Sequence, residues 1–356
     1  MALMQYGDMV MQYKNDSLEG NDKMKKKIIA LVTVASLVMM TMAGCGSSNN
    51  GGGSAASDSN GGKVYKIGIN QQLEHPALDQ ATKGFQDKLT ELLGEGNVKF
   101  DYQNAQGEAA NCSTIASGFV ASGVDLMFAN ATTSLQACAA ASADIPVVGT
   151  SVTDYATALE IDDWTGATGT NVTGTSDLAP LDQQADMIKE LVPDVKQVGL
   201  VYCSAEPNSV YQVDKVAECL DAAGIAHKSY SAADSNEIQS VVTKAVSECD
   251  VLYIPTDNTM AGNTEIINNI CLDKKVPVIA GEQGICEGCG IATLSISYYD
   301  LGVKSAEMAY DILVNGADPG TMEIAYAPNV TKLYDADRCA QLGITVPDGY
   351  EAITAE

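Results

Sequence analysis

Glu74, His75 and Pro76 stand between an apolar run with β-type residues, Val64 to Ile69, and a stretch where Leu78, Thr82, Phe85, Leu89 and Leu92 recur at steps of three and four. The run reads as a strand and the stretch as a helix. An acid beside one of only two histidines, with Asp154 further along, has the residue types of a general base and its orienter. The wider sequence does not support that chemistry. It holds no G-x-S-x-G, H-E-x-x-H, G-x-G-x-x-G or P-loop motif. The nucleophile candidates lack a basic neighbour in sequence, so no catalytic residue is expected. Cys286 and Cys289 form one C-x-x-C late in a glycine-rich stretch, without the second pair that zinc would need. No metal or cofactor is expected. The polar residues are better suited to binding.

The elements that position them come in two matching sets. Strands are predicted near 64–70, 98–103, 124–129 and 146–150, with helices near 77–93, 108–122 and 133–143. The pattern then restarts, with strands near 196–202, 226–230, 250–255 and 277–280 and helices near 180–192, 208–223, 235–247 and 260–273. Such alternation predicts an α/β fold of two Rossmann-like lobes, each a parallel sheet flanked by helices. The halves also echo each other in letters. "DLMFANATTS" from Asp125 answers to "DVLYIPTDNT" from Asp250, and "IPVVGTSVTD" from Ile145 to "VPVIAGEQG" from Val276. Ligands of open parallel sheets bind beyond the carboxyl ends of strands. The polar loops fall at those ends: Glu74-His75, Thr132-Thr133-Ser134 and Ser151-Val152-Thr153-Asp154 in one half; Glu206-Pro207-Asn208-Ser209, then Thr256-Asp257-Asn258, then Gly281-Glu282-Gln283 in the other. If the lobes face each other, six loops line one cleft. Each loop taken singly would also serve as a helix N-cap.

Charge excludes one class of partner. The chain of 356 residues carries a formal charge of −26 and a single arginine, Arg338. Nucleic-acid binding needs Lys and Arg to replace counterions, so no nucleic acid is expected. An anionic ligand group would have to be held by backbone N–H groups, hydroxyls or a lysine. The amino-terminal region reads as an address. Three lysines after Met24 precede an apolar stretch from Ile28 to Met42, then Ala43, Gly44 and Cys45. This is the layout of an export signal, with residues 1–44 removed, Met24 as the expected start and Cys45 as the lipidated first residue. Residues 45–62 form a Gly/Ser/Asn-rich tether. The protein is expected outside the cytoplasm, on the outer face of a bacterial membrane, held by lipid alone. Nine further cysteines, scattered through apolar segments, do not suggest a disulfide framework.

"IGINQQLEHPALD", "NAQGE", "NVTGTSD", "EPNSVYQVD", "PTDNT" and "SYYDLGVKSAEMAYDIL", in this order behind a lipobox, resemble the substrate-binding lipoproteins of ABC importers. More narrowly, they are similar to the family that includes tryptophan- and tyrosine-binding members. The resemblance covers residues 63–356. It implies the type I periplasmic binding protein fold, two α/β lobes joined by a three-segment hinge, with capture of a solute and delivery to a permease. It divides the chain into lobe one at 63–168 plus 293–318 and lobe two at 169–292 plus 319–356. Thr133, Tyr155 and Asn130 stand where family members carry Pro, Pro and an apolar residue.

The resemblance implies a monomer that binds a small molecule, most plainly an aromatic or otherwise apolar amino acid. Thr132, Thr133, Thr153 and Ser209 would take its carboxylate. Glu74, Asp154, Glu206 or Asp257 would take its ammonium, because a buried cation needs a fixed partner. Tyr155, Trp164 or Tyr299 would pack on its ring, the alternative for Trp164 being to pack at the hinge. A nucleoside or sugar ligand, and a sensor in place of a transporter component, remain as alternatives.

Overall fold

The computed structural model describes residues 63–354 apart from 328. The signal segment, Cys45 and the tether lie outside the described residues. Both lobes fall within one compact unit. In chain order the first lobe runs β1 (Tyr65–Gln71), α1 (Pro76–Leu93), β2 (Val98–Asn104), α2 (Ala109–Ser122), β3 (Leu126–Asn130), α3 (Thr132–Ala141), β4 (Val147–Val152), α4 (Tyr155–Ala158) and β5 (Val172–Ser176). The second runs α5 (Leu181–Leu191), β6 (Gln197–Cys203), α6 (Pro207–Ala222), β7 (Ala226–Ala232), a 3₁₀ turn (Ser235–Glu237), α7 (Ile238–Glu248), β8 (Val251–Ile254), α8 (Asn258–Ala261), α9 (Thr264–Lys274), β9 (Val278–Ala280), α10 (Gln283–Cys289) and β10 (Ala292–Ser295). The chain then returns through α11 (Tyr298–Asn315), a 3₁₀ turn (Pro319–Thr321) and β11 (Ala325–Tyr326), and ends with β12 (Thr331–Tyr334), α12 (Ala336–Leu342) and β13 (Glu351–Ala352).

Two sheets result, ordered β11-β5-β4-β3-β1-β2 and β13-β12-β10-β9-β8-β6-β7. All pairings are parallel except β10 with β12. Helices cover both faces, so the central strands are apolar on both sides. In lobe one, Leu126 and Phe128 face the α1 side, where Phe128 stacks on Phe85 with ring centroids 3.8 Å apart. Met127 and Ala129 face Phe119 and Leu135. In lobe two, Val251 and Tyr253 point to one face of the sheet and Leu252 and Ile254 to the other. Glycine permits the tight packing of α11 on α1. A Cβ at Gly84 would lie 2.1 Å from the Tyr299 carbonyl oxygen, and one at Gly302 would lie 2.0 Å from that of Ala81.

The strands cross between lobes later than the boundaries expected from the sequence. β5 hydrogen-bonds to β4 in the first sheet, so that sheet extends past residue 168 to Ser176. Gly174 is required there by contact: a Cβ on it would meet the Gly149 carbonyl oxygen at 2.1 Å and Tyr155 Oη at 2.4 Å. Likewise β11 pairs with β5, which keeps the chain on lobe one beyond 318 to Tyr326. The passages are therefore Asp177 to Pro180, Ile296-Ser297, and the return from β11 to β12. The helix expected over 260–273 is two helices, broken at Gly262 and Asn263.

Candidate functional site

The carboxyl ends of both sheets converge on one cavity. His75, Leu78, Ser151 and Asp177 line it from lobe one and the first passage. Asn208, Thr256, Asp257, Asn258, Ala261 and Glu282 line it from lobe two, and Tyr298 from the start of α11, just after the second passage. The lobes are drawn together. His75 Nε2 lies 3.1 Å from Asn258 Oδ1, and Gln212 Nε2 donates to Thr153 Oγ1 at 2.9 Å. Leu73 packs so closely on Gly262 that a Cβ there would come within 2.9 Å of its Cδ2. The remaining cavity is about 10 Å³, enough for roughly one water-sized sphere. This is a closed cleft, and the lobes must part before a solute can enter.

Buried polar atoms without a partner are rare in folded proteins, and here they cluster. Six such side-chain atoms occur among the described residues. Three of them, His75 Nδ1, Ser151 Oγ and Asn208 Oδ1, belong to cavity-lining residues. Thr132 Oγ1 is a fourth, at the first residue of α3. The backbone is also unusual at this end of lobe one. Ala131 and Ser151 follow β3 and occupy the end of β4 with φ of 86° and 55°, left-handed values that non-glycine residues seldom adopt. Strain of this kind concentrates at binding sites.

The second property is charge. Asp177, Glu206, Asp257 and Glu282 are all buried, and among the described residues none forms an ion pair. Burial pushes the Asp177 carboxyl up to about 6 and that of Glu282 up to about 7. Burial, then the charge of Glu206, drives Asp257 well above the usual carboxylate range. Burial has the opposite sign for His75 and lowers its pKa, against the raising effect of its Asn258 bond. The single arginine is elsewhere. Arg338 binds the carbonyls of Cys286, Glu287 and Gly290 at the end of α10, together with Asp335 and Asn268.

The expected site residues divide into three groups. His75, Ser151, Asn208, Asp257, Asn258 and Glu282 line the cavity. Thr132, Thr153, Glu206 and Ser209 are buried behind it, and Thr133 is half-buried, with its N–H on Gln72 Oε1 at 3.3 Å. Glu74 and Asp154 stand apart. Glu74 is exposed and accepts from Tyr102 Oη at 3.3 Å, while Asp154 caps α4 by accepting from Thr157 N at 2.7 Å. None of the three expected ring partners lines the cavity. Tyr155 is buried in lobe one with its hydroxyl on the Thr175 carbonyl, Trp164 packs against the same core, and Tyr299 Oη donates to Asp87. Thr256 lines the cavity with the expected loop it opens, whereas Asp177 and Tyr298 were not expected. The helical spacing of Leu301, Ser305, Met308 and Ile312 signals Tyr298, because it continues back to 298 and leaves 299 off the buried side.

Comparison with known proteins places this geometry. The family described as ABC transporter substrate binding protein matches residues 66–355. The chain belongs to that family. Its members serve ABC importers outside the cytoplasm, as small-molecule carriers that hand solute to a permease. A tyrosine-binding protein of Clostridioides difficile is 34% identical over 291 residues, 81% of this chain and 84% of the relative. A Streptococcus domain solved in complex with L-Trp is 33% identical with a TM-score of 0.78, covering 82% of this chain and 100% of that one. A ligand-free, open substrate binding protein from Clostridium difficile is 36% identical with equal coverage, yet its TM-score is 0.62. The lower score at higher identity fits lobes that are parted there and closed here. The fold is that of the type I periplasmic binding proteins. Among the described residues no helix is long and apolar enough to cross a membrane.

Proposed function

We propose that this chain captures an aromatic amino acid, tyrosine or tryptophan, in the cleft between its lobes and delivers it to an ABC permease. The observation that carries this reading is the cavity's mix of groups. Buried carboxylates without a basic partner suit an ammonium. Unpartnered His75, Ser151 and Asn208 atoms supply neutral groups for the rest of an amino acid's polar head. The tyrosine-binding relative and the L-Trp complex support the aromatic side chain. A nucleoside or sugar is less well served, because Tyr298 is the one Phe, Tyr or Trp among the lining residues. The protein acts as a monomer, tethered by lipid at Cys45, and performs no chemistry on its ligand.

A thermal-shift panel of the twenty amino acids, several nucleosides and several sugars tests this. A ligand at a hundredfold its Kd adds about 2.7 kcal/mol, or about 5–10 °C in melting temperature. Shifts confined to tyrosine, tryptophan or phenylalanine are expected. A shift with a nucleoside or sugar alone would refute the amino-acid reading.

A further inference from the structure

The passages between the lobes are where backbone dihedrals must change as the cleft opens. Two of them bring side chains to the cavity. Asp177 begins the first passage, immediately after β5, and Tyr298 follows the second as the first residue of α11. Tyr298 Oη donates to Asp177 Oδ2 at 3.0 Å, so these passages are tied to each other at the cavity wall. Thr153 Oγ1 is the other donor, at 3.4 Å.

Asp177 differs from the other cleft carboxylates in what holds it. Glu206 accepts from the N–H groups of Asn258 and Thr259, Asp257 from those of Cys203 and Met260, and Glu282 from those of Gly284 and Ile285. From other residues Asp177 accepts only from hydroxyls, yet it is buried to 4% exposure. The titratable groups facing it are Tyr298 from α11, Tyr155 from α4 and Glu282, the residue that caps α10. None is basic. When the lobes close, this carboxyl is shut in with no positive charge beside it.

We propose that Asp177 makes lobe closure depend on a cationic group in the ligand, whose ammonium supplies the charge that the closed cleft lacks. The inference rests on reading the cleft as an amino-acid site. Without a cation, closure favours the neutral acid, since burial raises the Asp177 carboxyl to about 6. A bound ammonium takes the place of that proton, which leaves to solvent. The ionised carboxylate then accepts a charge-assisted bond from Tyr298 and holds the passages more firmly. The ligand's charge is thereby read at the hinge itself.

Small-angle scattering reports closure as a fall in radius of gyration and needs no variant for its first arm. L-Tyrosine, tyramine and 3-(4-hydroxyphenyl)propanoate are the probes, with L-tryptophan, tryptamine and indole-3-propanoate as the parallel set. The amino acids and the amines should compact the protein; the propanoates should not. A propanoate that compacts it as well as its amino acid overturns the proposal. The second arm uses Asp177→Asn, which should lower affinity for the amino acid by about tenfold or more. Tyr298→Phe, which keeps the carboxylate, should retain the preference for amine over propanoate; loss of that preference counts against Asp177 as the reader. The third arm uses no ligand. Lowering the pH from 7 to 5 should compact the wild type more than Asp177→Asn, because closure is favoured as pH falls through about 6 toward the usual carboxylate value. If no aromatic amino acid binds but this difference persists, the ligand reading falls and the charge coupling stands. If the amino acids bind and Asp177→Asn changes neither affinity nor the pH response, the function stands and this proposal falls.

Discussion

The two walls of the cleft are built on opposite principles. Lobe two meets the cavity with acids whose oxygens are already engaged, and Asn208 Oδ1 is the unengaged neutral acceptor on that side. Glu206 alone accepts five bonds, from Asn208, from the N–H and side-chain amide of Asn258, and from the N–H and hydroxyl of Thr259. Lobe one meets it with neutral groups that are not engaged, Ser151 Oγ and His75 Nδ1, presented at the ends of β4 and the loop before α1. The first wall is wired for its own rigidity, and the second keeps hydrogen-bonding capacity in reserve. A polar residue at a strand exit is therefore not one kind of thing. Its role depends on whether a helix N-terminus next door has already claimed its oxygens.

The sharpest way to break this contrast is at Glu206. Glu206→Ala would strand the buried N–H of Asn258, the half-buried N–H of Thr259 and the side chains that converge with them. Leaving several buried donors unpaired costs about 3 kcal/mol or more, a fall of about 6–12 °C in melting temperature. The loss should appear in the ligand-free protein by calorimetry. A ligand-free melting point within about 1 °C of the wild type would mean that Glu206 is held in reserve like the lobe-one groups.

Lobe one should respond in the opposite direction. Ser151 holds a left-handed backbone, and its hydroxyl has no partner in the closed protein. Ser151→Gly removes both burdens and should raise stability by about 1 kcal/mol. It should also weaken amino-acid binding about tenfold to a hundredfold, since a hydrogen bond to a charged group contributes about 1.5–3 kcal/mol. Titration calorimetry and thermal melts on the same variant test the pair of outcomes. A variant that gains stability and keeps its affinity would remove Ser151 from the site.

This division explains what the sequence makes legible. Two parallel-sheet lobes follow from the strand–helix alternation and from the matched segments at Asp125 and Asp250, because strands buried on both faces must be written as apolar runs. The six loops follow from the topology, since parallel strands all deliver their carboxyl ends to one side. What a loop's letters do not encode is the allotment of its polar atoms between helix caps and cavity. Asp154 and Asp257 both precede a four-residue helix and both accept from the third N–H beyond them, yet only Asp257 lines the cavity. Asp177 is not legible for another reason. It lies just after β5, a strand hidden in the segment "NVTGTSD", whose small and hydroxylated residues do not look like a buried run. They are buried through pairing: Thr150 Oγ1 meets Thr175 Oγ1 at 2.9 Å, and Thr175 Oγ1 meets Ser305 Oγ at 3.0 Å.

The adjacent residues Glu74 and His75 give the smallest expected effect and the finest test of the contrast. His75 has extended backbone angles, φ −161° and ψ 162°, and Pro76 starts the helix immediately after it. Successive side chains of an extended chain point to opposite sides. His75 is turned into the cleft to meet Asn258, and Glu74 is turned out toward Tyr102 on β2. Glu74→Gln keeps the shape and removes an exposed charge on the outer side. Exposed polar contacts contribute little, so affinity should change by less than about twofold and stability by less than about 0.5 kcal/mol. His75→Ala in the same assay should weaken binding by a clearly larger factor, because it opens a buried bond between the lobes. Equal losses from the two substitutions would place Glu74 at the ligand and would undo the assignment of adjacent residues to opposite sides of the rim.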